Sequence, residues 1–134
     1  MARALLIDAA NVIGSRPSGW WRDRSGAAGR FVDQVRAAVA AGRVEAPVII
    51  VLEGAARLGA AESDSGGVRV VHAPGSGDDQ LVSLAGDLAL GQGAGWLPVL
   101  LVSADRQLGR RAAAVGAELA GPGWLYSRLD GPGE

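Results

Sequence analysis

Four short apolar runs in this chain each give way to an acid. Ala4-Leu5-Leu6-Ile7 is followed by Asp8, and Val48 to Leu52 by Glu53. Val68 to Val71 leads through a short loop to Asp78 and Asp79, and Val99 to Val102 leads through Ser103 and Ala104 to Asp105. Each acid has a plain reading of its own. Aspartate ahead of a helix is a good N-cap, and an acid in a loop is solvated. Capping explains the acids one by one but does not require them on a common edge. If the runs are parallel strands, the acids share the edge where open α/β sheets bind ligands. Two carboxylates about 4 Å apart repel by about 4 kcal/mol at an effective dielectric of 20. A crowd of them persists with a proton or a cation in its midst. All-oxygen donors suit a hard divalent ion, Mg²⁺ or Mn²⁺. Such an ion activates water and clamps the oxygens of a phosphodiester under attack.

Composition narrows the chemistry further. The chain has 134 residues and no cysteine, which excludes a disulfide scaffold, a thiolate metal site and a cysteine nucleophile. His72 is the one histidine, so no multi-histidine metal site exists. All 13 basic residues are arginine, which removes a P-loop lysine and a Schiff-base lysine. The net charge of −1 gives no global basic field of the kind that marks many nucleic-acid binders. No apolar stretch approaches the roughly 20 residues needed to cross a bilayer; a cytoplasmic protein is expected.

The elements that must position these acids alternate in type. The β-branched run Val48-Ile49-Ile50-Val51-Leu52 reads as a strand buried on both faces. Phe31, Val35 and Val39 recur every four residues, which predicts a helix over about Arg30 to Ala41. Leu81, Leu84 and Leu88 predict another over about Asp78 to Leu90, and Leu108, Ala112 and Val115 a third from about Asp105. A weak fifth strand is expected near Ala117 to Ala120. Strands alternating with helices imply an α/β fold, a single-domain doubly wound parallel sheet with helices on both faces. Residues 1–128 are expected to form that domain and residues 129–134 a short flexible tail. Gly14 to Ala28, Gly54 to Gly67 and Gly91 to Pro98 read as loops, the second with a short helix near Ala55 to Ala61. The first strand-to-helix turn, Asp8 to Asn11, has no glycine, which argues against a dinucleotide-binding Rossmann fold.

Leu6-Ile7-Asp8-Ala9-Ala10-Asn11-Val12-Ile13 resembles the opening motif of NYN domains, the PIN-like nucleases. Gly77-Asp78-Asp79-Gln80-Leu81-Val82 is similar to their second acidic motif, and Val102-Ser103-Ala104-Asp105-Arg106-Gln107-Leu108 to their third. The nearest look is to the bacterial YacP-like branch, with Gly116-Ala117 after the last acid. The usual glycine of the first motif is Ala9 here. The resemblance covers roughly residues 4 to 121, and the ordered set of three motifs is what makes it specific. It implies strand order 3-2-1-4-5 and metal-dependent ribonuclease activity. Carried over by position, Asp8, Asp78 and Asp105 match the metal-binding acids, Asn11 an amide that steadies the site, and Ser103 its hydroxyl neighbour. Asp79 adjoins a matched acid and is a candidate to assist it. Glu53 is added from its place after the second strand, as a candidate extra ligand.

Trp20-Trp21-Arg22-Asp23-Arg24 has two readings. It is a platform on which bases stack while Arg22 and Arg24 meet phosphate, or it is a loop pinned to the core by one indole. Arg106 is a further phosphate candidate, with Arg16, Arg110 and Arg111 as supplements, although the Arg110-Arg111 pair also reads as a solvated helix face. Trp96 and Trp124 read as packing residues. His72 is either a hydrogen-bonded structural residue or a proton shuttle. The expected activity is an Mg²⁺- or Mn²⁺-dependent endoribonuclease acting on RNA. A homodimer or a protein partner would supply RNA affinity that the low charge does not. The alternatives are a PIN-like module that binds RNA or protein without cutting, and a small nucleotide phosphohydrolase.

Overall fold

In a computed structural model, which describes residues 3–89 and 98–130, the apolar runs form the centre of one sheet. The strands are β1 (Ala4–Asp8), β2 (Val48–Leu52), β3 (Ser63–Ser65), β4 (Val68–His72), β5 (Val99–Val102) and β6 (Glu118–Ala120). The helices are α1 (Ala9–Gly14), α2 (Arg24–Ala40), α3 (Gly77–Ala89), α4 (Arg106–Ala114) and α5 (Pro122–Leu129). Short 3₁₀ turns cover Trp20–Arg22 and Gly54–Gly59. The sheet order is β3-β4-β2-β1-β5-β6. Its four parallel pairings give the expected 3-2-1-4-5 order, with β3 added antiparallel to β4 at one edge.

Alternation along the buried strands divides the interior into two layers. Leu5 and Ile7 of β1, Ile50 of β2 and Val102 of β5 face α1, α2 and α5. Leu6, Ile49, Val51 and Leu101 face Leu81 and Ala85 of α3 and Leu108 and Ala112 of α4. Helices therefore cover both faces. Among the described residues no helix is long and apolar enough to cross a membrane.

Several elements depart from the sequence reading. The second helix starts at Arg24 rather than near Arg30, because Asp23 caps it through Gly26 N at 3.1 Å. Its first turns carry Ser, Gly and Ala, and so show no apolar period to read. β3 is polar, Ser63-Asp64-Ser65, and exists through its ladder to β4 across Gly66 and Gly67, both at positive φ. Leu129 is no tail residue: it closes α5 and is buried. Tyr126 of that helix donates its hydroxyl to Val12 O at 3.1 Å, and Arg16 lies 3.5 Å over its ring while pairing with Asp130 at 2.8 Å. Trp124 packs against the core as expected. The Gly91 to Pro98 loop up to Leu97, with Trp96, and the tail from Gly131 lie outside the described residues.

The segment from Gly54 to Gly59 is clamped to α2 by backbone contact. A Cβ at Gly59 would run into Ser25 O and come within 2.9 Å of Gly29 N. Gly59→Ala is therefore expected to cost about 1–3 kcal/mol in urea unfolding. Gly75→Ala is the control, since nothing lies within 4 Å of its Cβ position, and it should move the midpoint little.

Candidate active site

Strand order reverses at β1, whose neighbours are β2 on one side and β5 on the other. The crevice at their carboxyl ends is where this topology places ligands. Asp8 closes β1 and is only 5% exposed. It caps α1, with Oδ1 accepting from Asn11 N at 3.4 Å. Its Oδ2 accepts from the Ser103 hydroxyl at 3.0 Å, across 95 residues of chain. The same Ser103 Oγ accepts from Asp105 N at 3.1 Å. Asn11 completes the link, its Oδ1 accepting from Ala104 N at 2.7 Å. The ends of β1 and β5 are thus one hydrogen-bonded unit containing Asp8, Asn11, Ser103 and Asp105. Ala9 is accommodated at the first turn without strain, since among the described residues no non-glycine residue has positive φ.

Asp105 also caps α4, its Oδ1 accepting from Gln107 N at 3.0 Å and Leu108 N at 3.1 Å. Asp78 and Asp79 begin α3. Glu53 reaches that helix start, with Oε2 accepting from Gly77 N at 3.1 Å. A Cβ at Gly77 would come 2.8 Å from Glu53 Oε1, so glycine lets the two segments meet. The anion position at this helix start is accordingly filled by Glu53 itself. Asp79 turns to the exposed Arg111, 2.8 Å away.

The acids act on one another electrically. Burial pushes the Asp8 carboxyl up from 3.8 to about 6. Hydrogen bonds from Ser103 and Asn11 oppose that rise, and repulsion from Asp78 and Glu53 adds to it. Asp78 is raised as well, by burial first, then by Asp105 and Glu53; Arg111 pulls it back and Asp79 pushes it up again. This is carboxylate crowding, which Arg111 offsets at Asp78. Oxygen donors whose charged forms are disfavoured by their neighbours fit a hard divalent cation in chemistry. Among the described residues, however, no three acid or imidazole groups stand close enough to hold an ion as drawn.

The tryptophan segment divides between its two readings. Trp20 is half-buried against the core, beside Gly14, with the Arg24 guanidinium 5.1 Å from its ring. Trp21 is 56% exposed, with Arg22 4.6 Å over its ring. Arg106 is exposed and directly follows Asp105. Arg16 and Arg111 are each paired with an acid, Asp130 and Asp79. His72 is structural: Nε2 lies 2.7 Å from Ala60 O, and its backbone N donates to Glu62 at 2.8 Å. The Arg111–Asp79 pair and the Glu53–Gly77 contact carried no signal in the sequence, because each joins residues of separate elements that are 32 and 24 positions apart.

No family model matches the chain, and no curated protein does. Solved structures do. A crystal structure of Rae1 (YacP) from Bacillus subtilis aligns with a TM-score of 0.70 at 18% identity, over 97% of this chain and 74% of that one. A single-substitution mutant of the same protein aligns with a TM-score of 0.66 at 19% identity, over 96% and 76%. The fold is YacP-like. The resemblance drawn from the three motifs thus holds at the level of architecture, six strands with helices on both faces. In this chain the first and third motifs meet at neighbouring strand ends, β1 and β5, through residues that are 95 positions apart.

Proposed function

We propose that this protein is a divalent-metal-dependent ribonuclease that hydrolyses RNA phosphodiesters at the carboxyl edge of β1 and β5. The observation that supports it most is the Asp8–Ser103–Asp105 unit, in which burial first, and repulsion from Asp78 and Glu53 after it, raise the Asp8 carboxyl to about 6. Asp8, Asp78 and Asp105 would hold the ion, an Mg²⁺ or Mn²⁺, with Asp79 joining if its pair with Arg111 opens. The ion supplies an activated water and neutralises charge on the phosphate. The chain's own part is positional. The Ser103 hydroxyl orients Asp8 Oδ2, Asn11 holds the backbone that carries Ser103 and Asp105, and Glu53 anchors the start of α3 that carries Asp78. Arg106 meets a phosphate, and Trp21 with Arg22 offers an exposed face to a base. A second copy or a protein partner adds the affinity that a net charge of −1 does not provide.

The test is cleavage of single-stranded and structured RNA with Mn²⁺, in wild type and Asp8→Asn. Metal-dependent cutting by the wild type alone supports the reading, and equal cutting by both proteins ends it. A second reading has its own observation. Because no three described acids stand at ion-binding separation, a module that binds RNA without cutting is the alternative. It predicts RNA binding indifferent to metal and to Asp8→Asn but lost on replacing both Trp20 and Trp21. Metal binding has a separate readout. At 100 times its dissociation constant, Mn²⁺ should stabilise the wild type by about 2.7 kcal/mol in thermal unfolding and leave Asp8→Asn unmoved.

A further inference from the structure

A groove of about 370 Å³ runs between α4 and β6 and opens onto the candidate site, sharing Ser103 and Asp105 with it. Its floor is apolar and low. Gly109 is buried and presents no side chain, and Leu119 lies over it, so that a Cβ at Gly109 would come 3.2 Å from Leu119 Cδ1. Leu119 is 51% exposed on a strand at the edge of the sheet. Arg106 and Arg110 line the same groove. They are four residues apart on α4 and so share a face of it. Among the described residues neither forms an ion pair, whereas their neighbour Arg111 is held by Asp79.

Two guanidiniums without acids, beside an apolar strip that leads to Asp105, match a ligand with regularly spaced anions and flat apolar faces. We infer that this groove binds single-stranded RNA, the nucleotides next to the scissile phosphate, with phosphates on Arg106 and Arg110 and a base or ribose face on Leu119. This rests on the ribonuclease reading for its orientation toward Asp105. The single strand follows from Leu119: paired RNA presents phosphates and 2′-hydroxyls and hides its base faces, so an exposed leucine has nothing to meet there.

The experiment measures binding of a fluorescein-labelled oligouridylate and of a hairpin duplex as a function of salt. It uses Asp8→Asn protein, so that RNA is not consumed. Adding Arg106→Ala with Arg110→Ala should weaken single-strand binding and reduce the slope of log affinity against log salt by about 1.4, at about 0.7 per phosphate contact. Adding Leu119→Ser should weaken single-strand binding several-fold, leave that slope unchanged and leave duplex binding alone. An unchanged slope in the double arginine variant overturns the groove. So does a Leu119→Ser effect equal for both RNAs, or no RNA binding at all, which would leave the open edge of β6 to a protein strand. Cleavage with Mn²⁺ in proteins that retain Asp8 separates the two readings. Binding as described with nothing cut keeps the groove and removes the nuclease, whereas cutting whose KM ignores Arg106 and Arg110 does the reverse.

Discussion

Asp8→Asn should reduce Mn²⁺-dependent RNA cleavage by at least about 100-fold, more than the 10- to 100-fold typical for residues that merely orient a metal ligand. The same substitution should make the metal-free protein more stable at pH 8. In the unfolded chain Asp8 ionises near 3.8, and in the fold near 6. Well below pH 3.8 both states carry the proton, and the folded state keeps its full stability, most of which is still present at pH 4. As pH rises through 6, folding must hold a buried carboxylate ionised, and stability falls by up to about 3 kcal/mol. An amide has nothing to ionise; it keeps an oxygen for Asn11 N and offers an N–H to Ser103 Oγ. Urea unfolding of wild type and Asp8→Asn at pH 4 and pH 8 measures the difference, which should open only at the higher pH. Mn²⁺ should then close it from the wild-type side. A variant that is equally stable at both pH values relative to wild type would mean that Asp8 is an ordinary cap, and the electrostatic basis of the site would go with it.

Asn11→Ala is the second substitution with a large effect. Its side-chain oxygen accepts from Ala104 N at 2.7 Å, the shortest bond in the unit that joins the ends of β1 and β5. Removing it frees the loop that carries Ser103 and Asp105. Cleavage should fall about 10- to 100-fold, the range for residues that orient metal ligands, and stability by about 1 kcal/mol. Asn11→Asp separates the two effects. It restores an acceptor for Ala104 N but adds a carboxylate beside Asp8, so it should resemble wild type near pH 4 and be less stable at pH 8. If Asn11→Ala cleaves RNA at the wild-type rate, the link between the two strand ends has no part in catalysis.

Legibility in the sequence followed the range of the interactions. The central strands were readable because a strand buried on both faces must be apolar throughout, as Val48 to Leu52 is. α3 and α4 were readable from leucine and alanine recurring at helical spacing over the sheet. α1 and the start of α2 were not, since Ala9-Ala10 and Ala27-Ala28 are small and the segments hold through capping acids and packing rather than through a long apolar stripe. β3 was missed because it is polar and only three residues long, held by its hairpin to β4, and α5 because its eight residues are fixed in part by Val12, 114 positions away.

By itself the sequence determined the kinds of group available, carboxylates, arginines, amides and hydroxyls, and put an acid beyond each of four apolar runs. It also determined that the runs alternate with helices and therefore pair in parallel. Only the tertiary structure decided which acids work together. Asp8 and Asp105 share Ser103, while Asp79 is diverted to Arg111 and Glu53 to the first turn of α3. The reason is that hydrogen-bond partners are chosen by distance in space. That distance comes from the order and register of strands, with Ile7 beside Val102 although almost the whole domain lies between them along the chain.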